Sequence, residues 1–151
     1  MKIIKGEDDV LELFTAKDAM IKPVFIQEDE EAKEIVNKLK KEDINVCIVI
    51  NKNKEFIGQI SDDDLIKLFL KQIKNEPLTK LNLGYIKDID YKKARDLTNK
   101  NKLKVREITP INEVIKLMFK RNINHISVIS NKNKVLGVIT TSSIIDLLKD
   151  K

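Results

Sequence analysis

The chain repeats itself, and that constrains its fold more than any other feature. Residues Ile44-Asn45-Val46-Cys47-Ile48-Val49-Ile50 resemble Ile123-Asn124-His125-Ile126-Ser127-Val128-Ile129, and Ile57-Gly58-Gln59-Ile60-Ser61 resembles Leu136-Gly137-Val138-Ile139-Thr140, both at an offset of 79 positions. Upstream, Ala32, Ile35, Val36 and Leu39 map onto Ile111, Val114, Ile115 and Met118 at the same offset. Their i, i+3, i+4, i+7 spacing is the apolar face of a helix, found twice. Two unlike signals, a β-branched run and a helical period, agree on one offset. The chain reads as a tandem duplication.

Each copy reads as βαββα, an α/β (α+β) class. A short strand (Val24–Ile26, then Leu103–Val105) leads into the amphipathic helix, for which Thr109 is the expected N-cap of the second copy and Pro110 its first helical residue. A β-branched run follows, Val46–Ile50 and later His125–Ile129. A polar turn, Asn51-Lys52-Asn53-Lys54 and Asn131-Lys132-Asn133-Lys134, then joins it to a strand ending at Ile60 or Ile139. A last helix carries Leu65, Ile66, Leu68 and Phe69, and in the copy Ile144, Ile145, Leu147 and Leu148. Neither copy has ample apolar surface alone, so the two are expected to pack through their sheets.

Composition removes whole classes of chemistry. The 151 residues hold one His (His125) and one Cys (Cys47), so neither CxxC, HExxH nor a multi-histidine site can be built within one chain. The glycines, at 6, 58, 84 and 137, are too scattered for a GxGxxG or GxxxxGK phosphate loop. Nothing around His125 resembles a nucleophile elbow, so catalysis is not expected. The longest plainly apolar stretch, Val46–Ile50, is far short of the ~18–20 residues that span a bilayer, and the N-terminus lacks the apolar core of a secretory signal. A lone cysteine agrees with a reducing compartment. A cytoplasmic protein without membrane association is expected.

The motifs that carry a family resemblance are Lys17-Asp18-Ala19-Met20 with Pro23-Val24, then Gly58-Gln59-Ile60-Ser61-Asp62-Asp63-Asp64-Leu65. In the second copy they are Ile123-Asn124-His125-Ile126-Ser127-Val128 and Gly137-Val138-Ile139-Thr140-Thr141-Ser142-Ser143-Ile144. In order and duplication they resemble a pair of CBS (cystathionine β-synthase) domains, a Bateman module, over roughly Ala16 to Lys149. The resemblance implies a stand-alone regulatory module with no obligatory cofactor. It implies an adenosine-containing nucleotide (AMP, ADP, ATP or a relative) as ligand in clefts between the repeats. It divides the chain into repeat 1 with a helical lead-in (1–74), a linker with a basic insertion (75–102) and the core of repeat 2 (103–151). It also implies a homodimer through exposed helices, here Leu65–Ile73 and Ile144–Leu148, and an unidentified regulated protein partner.

The family's site residues carry over unevenly. In its Gly-h-h-Ser/Thr-x-x-Asp stretch the hydroxyl faces the ligand phosphate or ribose, and the Asp accepts from both ribose hydroxyls, as an acceptor-only carboxylate can. Repeat 1 keeps Ser61 and Asp64. Repeat 2 keeps Thr140 but has Ser143 in place of the Asp. By the same resemblance Val24, Ile26 and Cys47 would flank the adenine in the first cleft, and Val105 and Ile126 in the second, with Asn124 and His125 at the phosphate end opposite Ser61 and Asp64. Local chemistry offers bland alternatives. Ser61 with Asp64, and Thr140 through Ser143, are good helix-start caps. His125 alternates with Ile126 and Val128 as a packed strand residue would, Asp62 and Asp63 read as solvent-facing, and Cys47 reads as a small buried apolar residue.

Charge is concentrated in one place. The net charge is +5, and residues 87–106, with eight Lys or Arg against three Asp, carry all of it. Aligning Lys87-Asp88-Ile89-Asp90 with Lys17-Asp18-Ala19-Met20 leaves about nine extra residues before Leu103, a basic insertion within the stretch Tyr91–Lys102, whose Lys92, Lys93, Arg95, Lys100 and Lys102 could attract polyanions. That leaves a second reading, a structural or nucleic-acid and protein interaction module with degenerate clefts. No DNA-reading helix is identifiable and aromatic residues are 5% of the chain, so sequence-specific nucleic-acid recognition is not expected.

Overall fold

A computed structural model of the chain describes residues 13–42, 46–66, 92–98 and 103–149. In chain order it contains α1 (Ala16–Ala19), β1 (Phe25–Gln27), α2 (Ala32–Glu42), β2 (Val46–Ile50), β3 (Phe56–Ser61), α3 (Ala94–Leu97), β4 (Lys104–Val105), α4 (Ile111–Arg121), β5 (His125–Ile129), β6 (Val135–Thr140) and α5 (Thr141–Lys149). Residues 62–66 are also helical and open the helix expected after β3. Leu68, Phe69, Ile44, Asn45, Lys87–Asp90, Lys100 and Lys102 lie outside the described residues.

The expected mixed architecture is present: two three-stranded sheets, β1-β2-β3 and β4-β5-β6, with helices. In each, the first strand runs parallel to the second and the second antiparallel to the third. The duplication extends even to an irregularity, since the register shifts at Val49/Ile50 in one sheet and at Val128/Ile129 in the other. The first strands begin a residue later than the apolar pattern suggests, leaving Val24 and Leu103 just outside.

Both long helices form where the apolar period and the end charges agree. Glu34 and Glu113 sit in the first turns of α2 and α4, and Lys40, Lys41, Lys120 and Arg121 in the last, matching the helix dipole. Asn122 ends α4 in the left-handed conformation at φ 52°, and Ile123 N–H donates to Met118 O at 3.0 Å. One core holds Ala32, Ile35 and Leu39 of α2 against Ile26, Cys47, Val49 and Ile60. The other holds Ile111, Val114 and Met118 of α4 against Val105, Ile126, Val128 and Ile139. Val36 is exposed and Ile115 half-buried, so the buried stripe is narrower than the sequence period suggests.

The cap of α4 differs from expectation. Pro110 is the N-cap, with ψ at 142°, and its carbonyl accepts from Glu113 and Val114. Thr109 instead turns its hydroxyl back to accept from Arg106 N–H at 3.0 Å. The reason is tertiary: Ile111 N–H donates to Phe14 O at 2.9 Å, so the N-terminal segment supplies the acceptor that a capping side chain would have offered.

That segment reveals how the chain is partitioned. Ala16 N–H donates to Thr109 O at 2.8 Å and Lys17 N–H to Glu107 O at 3.1 Å, while Ile21 and Val138 exchange both backbone hydrogen bonds at 2.9 and 3.1 Å. α3 does the same elsewhere. Ala94 N–H donates to Glu30 O at 2.8 Å, Arg95 N–H to Glu28 O at 3.0 Å, and Ala32 N–H to Lys92 O at 2.9 Å. Each short helix therefore packs on the half of the sequence that it does not precede. Two compact units result, one of Met1–Pro23 with Leu103–Lys151, the other of Val24–Lys102.

This partition departs from the linear one. The structural equivalent of Ala16–Ala19 is Ala94–Leu97, not residues 87–90. Ala16 precedes Val24 by eight residues and Ala94 precedes Leu103 by nine, so the supposed insertion reduces to one residue. Within that basic stretch Lys92 and Arg95 are exposed, whereas Lys93 pairs with Glu31 at 3.7 Å and fastens α3 to its unit. Both close approaches are made over glycines. A Cβ on Gly137 would lie 2.8–2.9 Å from Met20 side-chain atoms, and one on Gly58 2.9 Å from Thr98 Cβ.

Candidate functional site

The two sequence-matched stretches fold into the same local device. Where β3 passes into helix, Asp64 N–H donates to Ser61 Oγ at 3.1 Å, and Ser61 N–H donates to Asp64 Oδ2 at 2.9 Å. Where β6 passes into α5, Ser143 N–H donates to Thr140 Oγ1 at 3.0 Å, and Thr140 N–H donates to Ser143 Oγ at 2.9 Å. Both are reciprocal capping boxes, in which each side chain satisfies the other's backbone amide. The capping reading of these residues is therefore correct for both copies. The boxes still differ chemically. Ser143 is buried, and its own hydroxyl proton goes to Thr140 O at 3.0 Å. Asp64 is half-buried and brings an ionised carboxylate, with about four acceptor positions in all, to the same place.

Strand parity places the remaining candidates. Residues opposite each other across a ladder share a sheet face, and neighbours along a strand alternate. Ser61 stands opposite Val46, and Gln59 opposite Ile48, so these four share one face of the first sheet. Cys47 stands opposite Ile60 and Ile26 opposite Val49, on the other face, where they are buried in the core against α2. Val24 is half-buried beside that core, and its carbonyl accepts from Ile48 N–H at 2.9 Å. The structure thus gathers Val24, Ile26 and Cys47 together, but on the face opposite Ser61. The second unit behaves alike. Val105 and Ile126 are core residues, while His125 stands opposite Thr140 and shares its face with Ser127 and Val138.

Asn124 and His125 are tied into the second unit's helix start. Asn124 is exposed, its carbonyl accepts from Thr141 N–H at 3.1 Å, and its Oδ1 lies 2.7 Å from His125 Nδ1. The same short run therefore contacts the first turn of α5 and borders Thr140. Asp62 and Asp63 are exposed, as expected. Among the described residues no cluster of His, Cys, Asp and Glu could hold a metal ion. Burial pushes the Cys47 thiol up to about 11, with Lys38 opposing and Glu30 adding to the shift, which makes it an inert core group rather than a nucleophile.

Sequence reasoning passed over Val46, Ile48 and Gln59, the residues that share Ser61's face. The signal was present in the strict alternation of β2 and β3, but all five residues of β2 are apolar and buried, so hydropathy marks neither face as special. Parity has to be counted back from Ser61, and that requires the register.

Comparison with known proteins fits this architecture. The family model of the CBS domain matches residues 16–71 and 94–150, its second match opening at α3 as the structural equivalence requires. An uncharacterized protein, MJ1426 of Methanocaldococcus jannaschii, is 28% identical over 155 residues, covering 91% of this chain and 92% of its own. Among solved structures, the CBS domain pair of protein MJ0100 in complex with 5'-methylthioadenosine and S-adenosyl-L-methionine superposes with a TM-score of 0.72 at 20% identity, covering 90% of this chain and 96% of that one. CBSX2 in complex with AMP gives a TM-score of 0.74 at 18% identity, covering 91% and 97%. No described helix is long and apolar enough to cross a membrane. With its sequence matched twice and its fold shared by solved pairs, the chain belongs to the CBS domain family as a tandem pair.

Proposed function

We propose that this protein is a regulatory, non-catalytic, cytoplasmic module that binds an adenosine-containing ligand at the Ser61–Asp64 helix start and reports occupancy to a protein partner as a homodimer. The observation that carries the reading is the difference between two otherwise matching boxes. Either residue type closes the cap, yet the first repeat uses a carboxylate, Asp64, where the second uses Ser143. Capping alone does not demand the acid. A ribose diol does favour it, because an ionised acceptor can take both hydroxyl protons. The solved pairs that carry AMP, or methylthioadenosine and S-adenosylmethionine, support the ligand class.

The two repeats supply the control. Asp64→Ser writes the second repeat's box into the first, keeping a cap while removing the carboxylate. Hydrogen bonds to a charged group are worth roughly 1.5–3 kcal/mol each before desolvation, so titration calorimetry with AMP and S-adenosylmethionine should show at least about a tenfold loss, near 1.4 kcal/mol. Ser143→Ala should leave affinity unchanged. If Asp64→Ser binds like the parent while Ser143→Ala loses the ligand, the working repeat is misassigned. If the parent binds no adenosine ligand, the interaction-module reading takes its place.

A further inference from the structure

We infer that the end of the second sheet at which β4 and β5 finish is a docking surface for the phosphate backbone of a nucleic-acid duplex. β4 and β5 run parallel, so the turns that follow them lie at one end of the sheet. After β4, Thr109 N–H donates to Arg106 O at 3.1 Å and closes a tight turn. After β5, Ser130 holds the hairpin turn together. Its N–H donates to Lys134 O at 2.8 Å, and its Oγ accepts from the amides of Lys132 and Lys134, each at 3.2 Å. Lys104 Nζ donates to Asn133 Oδ1 at 3.3 Å and so ties β4 to that turn. Lys104, Arg106 and Lys132 are exposed and Lys134 is half-buried. Four cations therefore stand on a framework whose backbone is already fixed, which lowers the ordering cost of binding.

The duplication shows that the fold does not require this charge. β1 and β2 end in the same two turns, where Glu30 N–H donates to Gln27 O at 3.0 Å and Asn51 N–H to Glu55 O at 3.1 Å. There the places of Lys104, Arg106, Lys132 and Lys134 are taken by Phe25, Gln27, Asn53 and Glu55. Residues 104–110 with 130–135 hold four Lys or Arg against one acid, Glu107, whereas residues 25–31 with 51–56 hold five acids against Lys52 and Lys54. The same backbone thus carries a net +3 in one unit and −3 in the other. A concentrated cationic end attracts a dense polyanion, and a duplex offers one negative charge per ~1.7 Å. Neither cationic stretch contains an aromatic residue, so unpaired bases have nothing to stack on. Lysine and arginine contacts to phosphate carry no sequence information, so recognition here is of the backbone alone.

Fluorescence anisotropy of the full chain with a labelled DNA duplex of mixed sequence tests this. The logarithm of affinity should fall with that of salt concentration at a slope of about −3 to −4, since each neutralised phosphate contributes ~0.9. Writing the first unit's residues into the second, Arg106→Gln with Lys132→Asn and Lys134→Glu, should weaken binding at low salt at least tenfold and flatten the slope to about −1. The first unit folds with those residues in the same turns, and thermal melting of the variant checks that the second does too. Lys52→Gln with Lys54→Gln should leave duplex affinity unchanged. A parent that does not bind the duplex, or a folded triple variant that binds like the parent, overturns the inference. Poly-L-glutamate displacing the duplex at equal charge concentration would assign the surface to an acidic protein instead. Self-association of the parent that the triple variant loses would assign it to the acidic end of a second copy. None of the substituted residues belongs to the Ser61–Asp64 helix start, so AMP titration reads the ligand proposal separately.

Discussion

Replacing Gly137 by alanine adds one methyl group at the place where the N-terminal segment crosses the second unit. The new Cβ would lie 2.8 Å from Met20 Sδ and 2.9 Å from Met20 Cβ and Cγ. Carbon contacts prefer about 3.5–4.0 Å, so each is too close by over half an ångström. The sulfur can swing away, but Met20 Cβ cannot move without its backbone, and the adjoining Ile21 is held by both hydrogen bonds to Val138. Overpacking of this kind costs roughly 1–3 kcal/mol, and loosening one of those hydrogen bonds adds about 1 kcal/mol. Gly137→Ala should therefore lose about 2–4 kcal/mol in urea unfolding, lowering Tm by about 2–4 °C per kcal/mol for a chain of this length. Amide exchange should quicken at Ala16, Lys17 and Ile21 before the rest of the unit. Met20→Ala removes two of the three offending atoms, so the double variant should be more stable than additivity allows by about 1 kcal/mol. Gly58→Ala, facing Thr98, should behave alike in the other unit. An unchanged midpoint in Gly137→Ala, or strict additivity with Met20→Ala, would refute the view that glycine is kept here for close approach.

Two further outcomes follow from the same duplication and burial. Lys54 and Asn133 occupy equivalent turn positions with φ of 62° and 63°; the left-handed region costs most residues roughly 1–2 kcal/mol but suits Asn better, so Lys54→Asn should gain about 0.5–1 kcal/mol and Asn133→Lys lose as much, and urea midpoints moving in the same direction would count against this. Cys47 has its thiol raised from an ordinary 9.0 to about 11 by burial, which favours the protonated form in the fold. Its contribution is complete below about pH 9 and is lost as pH rises through 11, roughly 2–3 kcal/mol in all. Cys47→Ala should flatten the fall in stability over that window, and an unaltered slope would show that other groups cause it.

Much of this protein is legible in the sequence because the relevant physics is short-ranged. The duplication, the helical periods of α2 and α4, the β-branched runs and the two capping boxes each depend on residues a few positions apart. Ser61 with Asp64 and Thr140 with Ser143 pair by residue type and a spacing of three alone. The turns mark where local reading begins to fail. The Asn-Lys-Asn-Lys strings match 80 apart, yet Asn51 N–H donates to Glu55 O and Ser130 N–H to Lys134 O, so the equivalent of Asn51 is Ser130. The ladders on either side set that register, not the resemblance of the loop.

Only the tertiary structure decided the rest. That α1 belongs with β4–α5, and α3 with β1–β3, cannot be read from order along the chain, because the hydrogen bonds at Glu28, Glu30, Glu107 and Thr109 join segments distant in sequence. This exchange displaced Thr109 from the cap of α4 and disclosed Ala94–Leu97 as the true partner of Ala16–Ala19. It also explains why glycine stands at 58 and 137. The side of the sheet on which Ile26, Cys47, Val105 and Ile126 lie was likewise a matter of register, since both faces of a buried strand are apolar and only the pairing with a residue such as Ser61 tells one from the other.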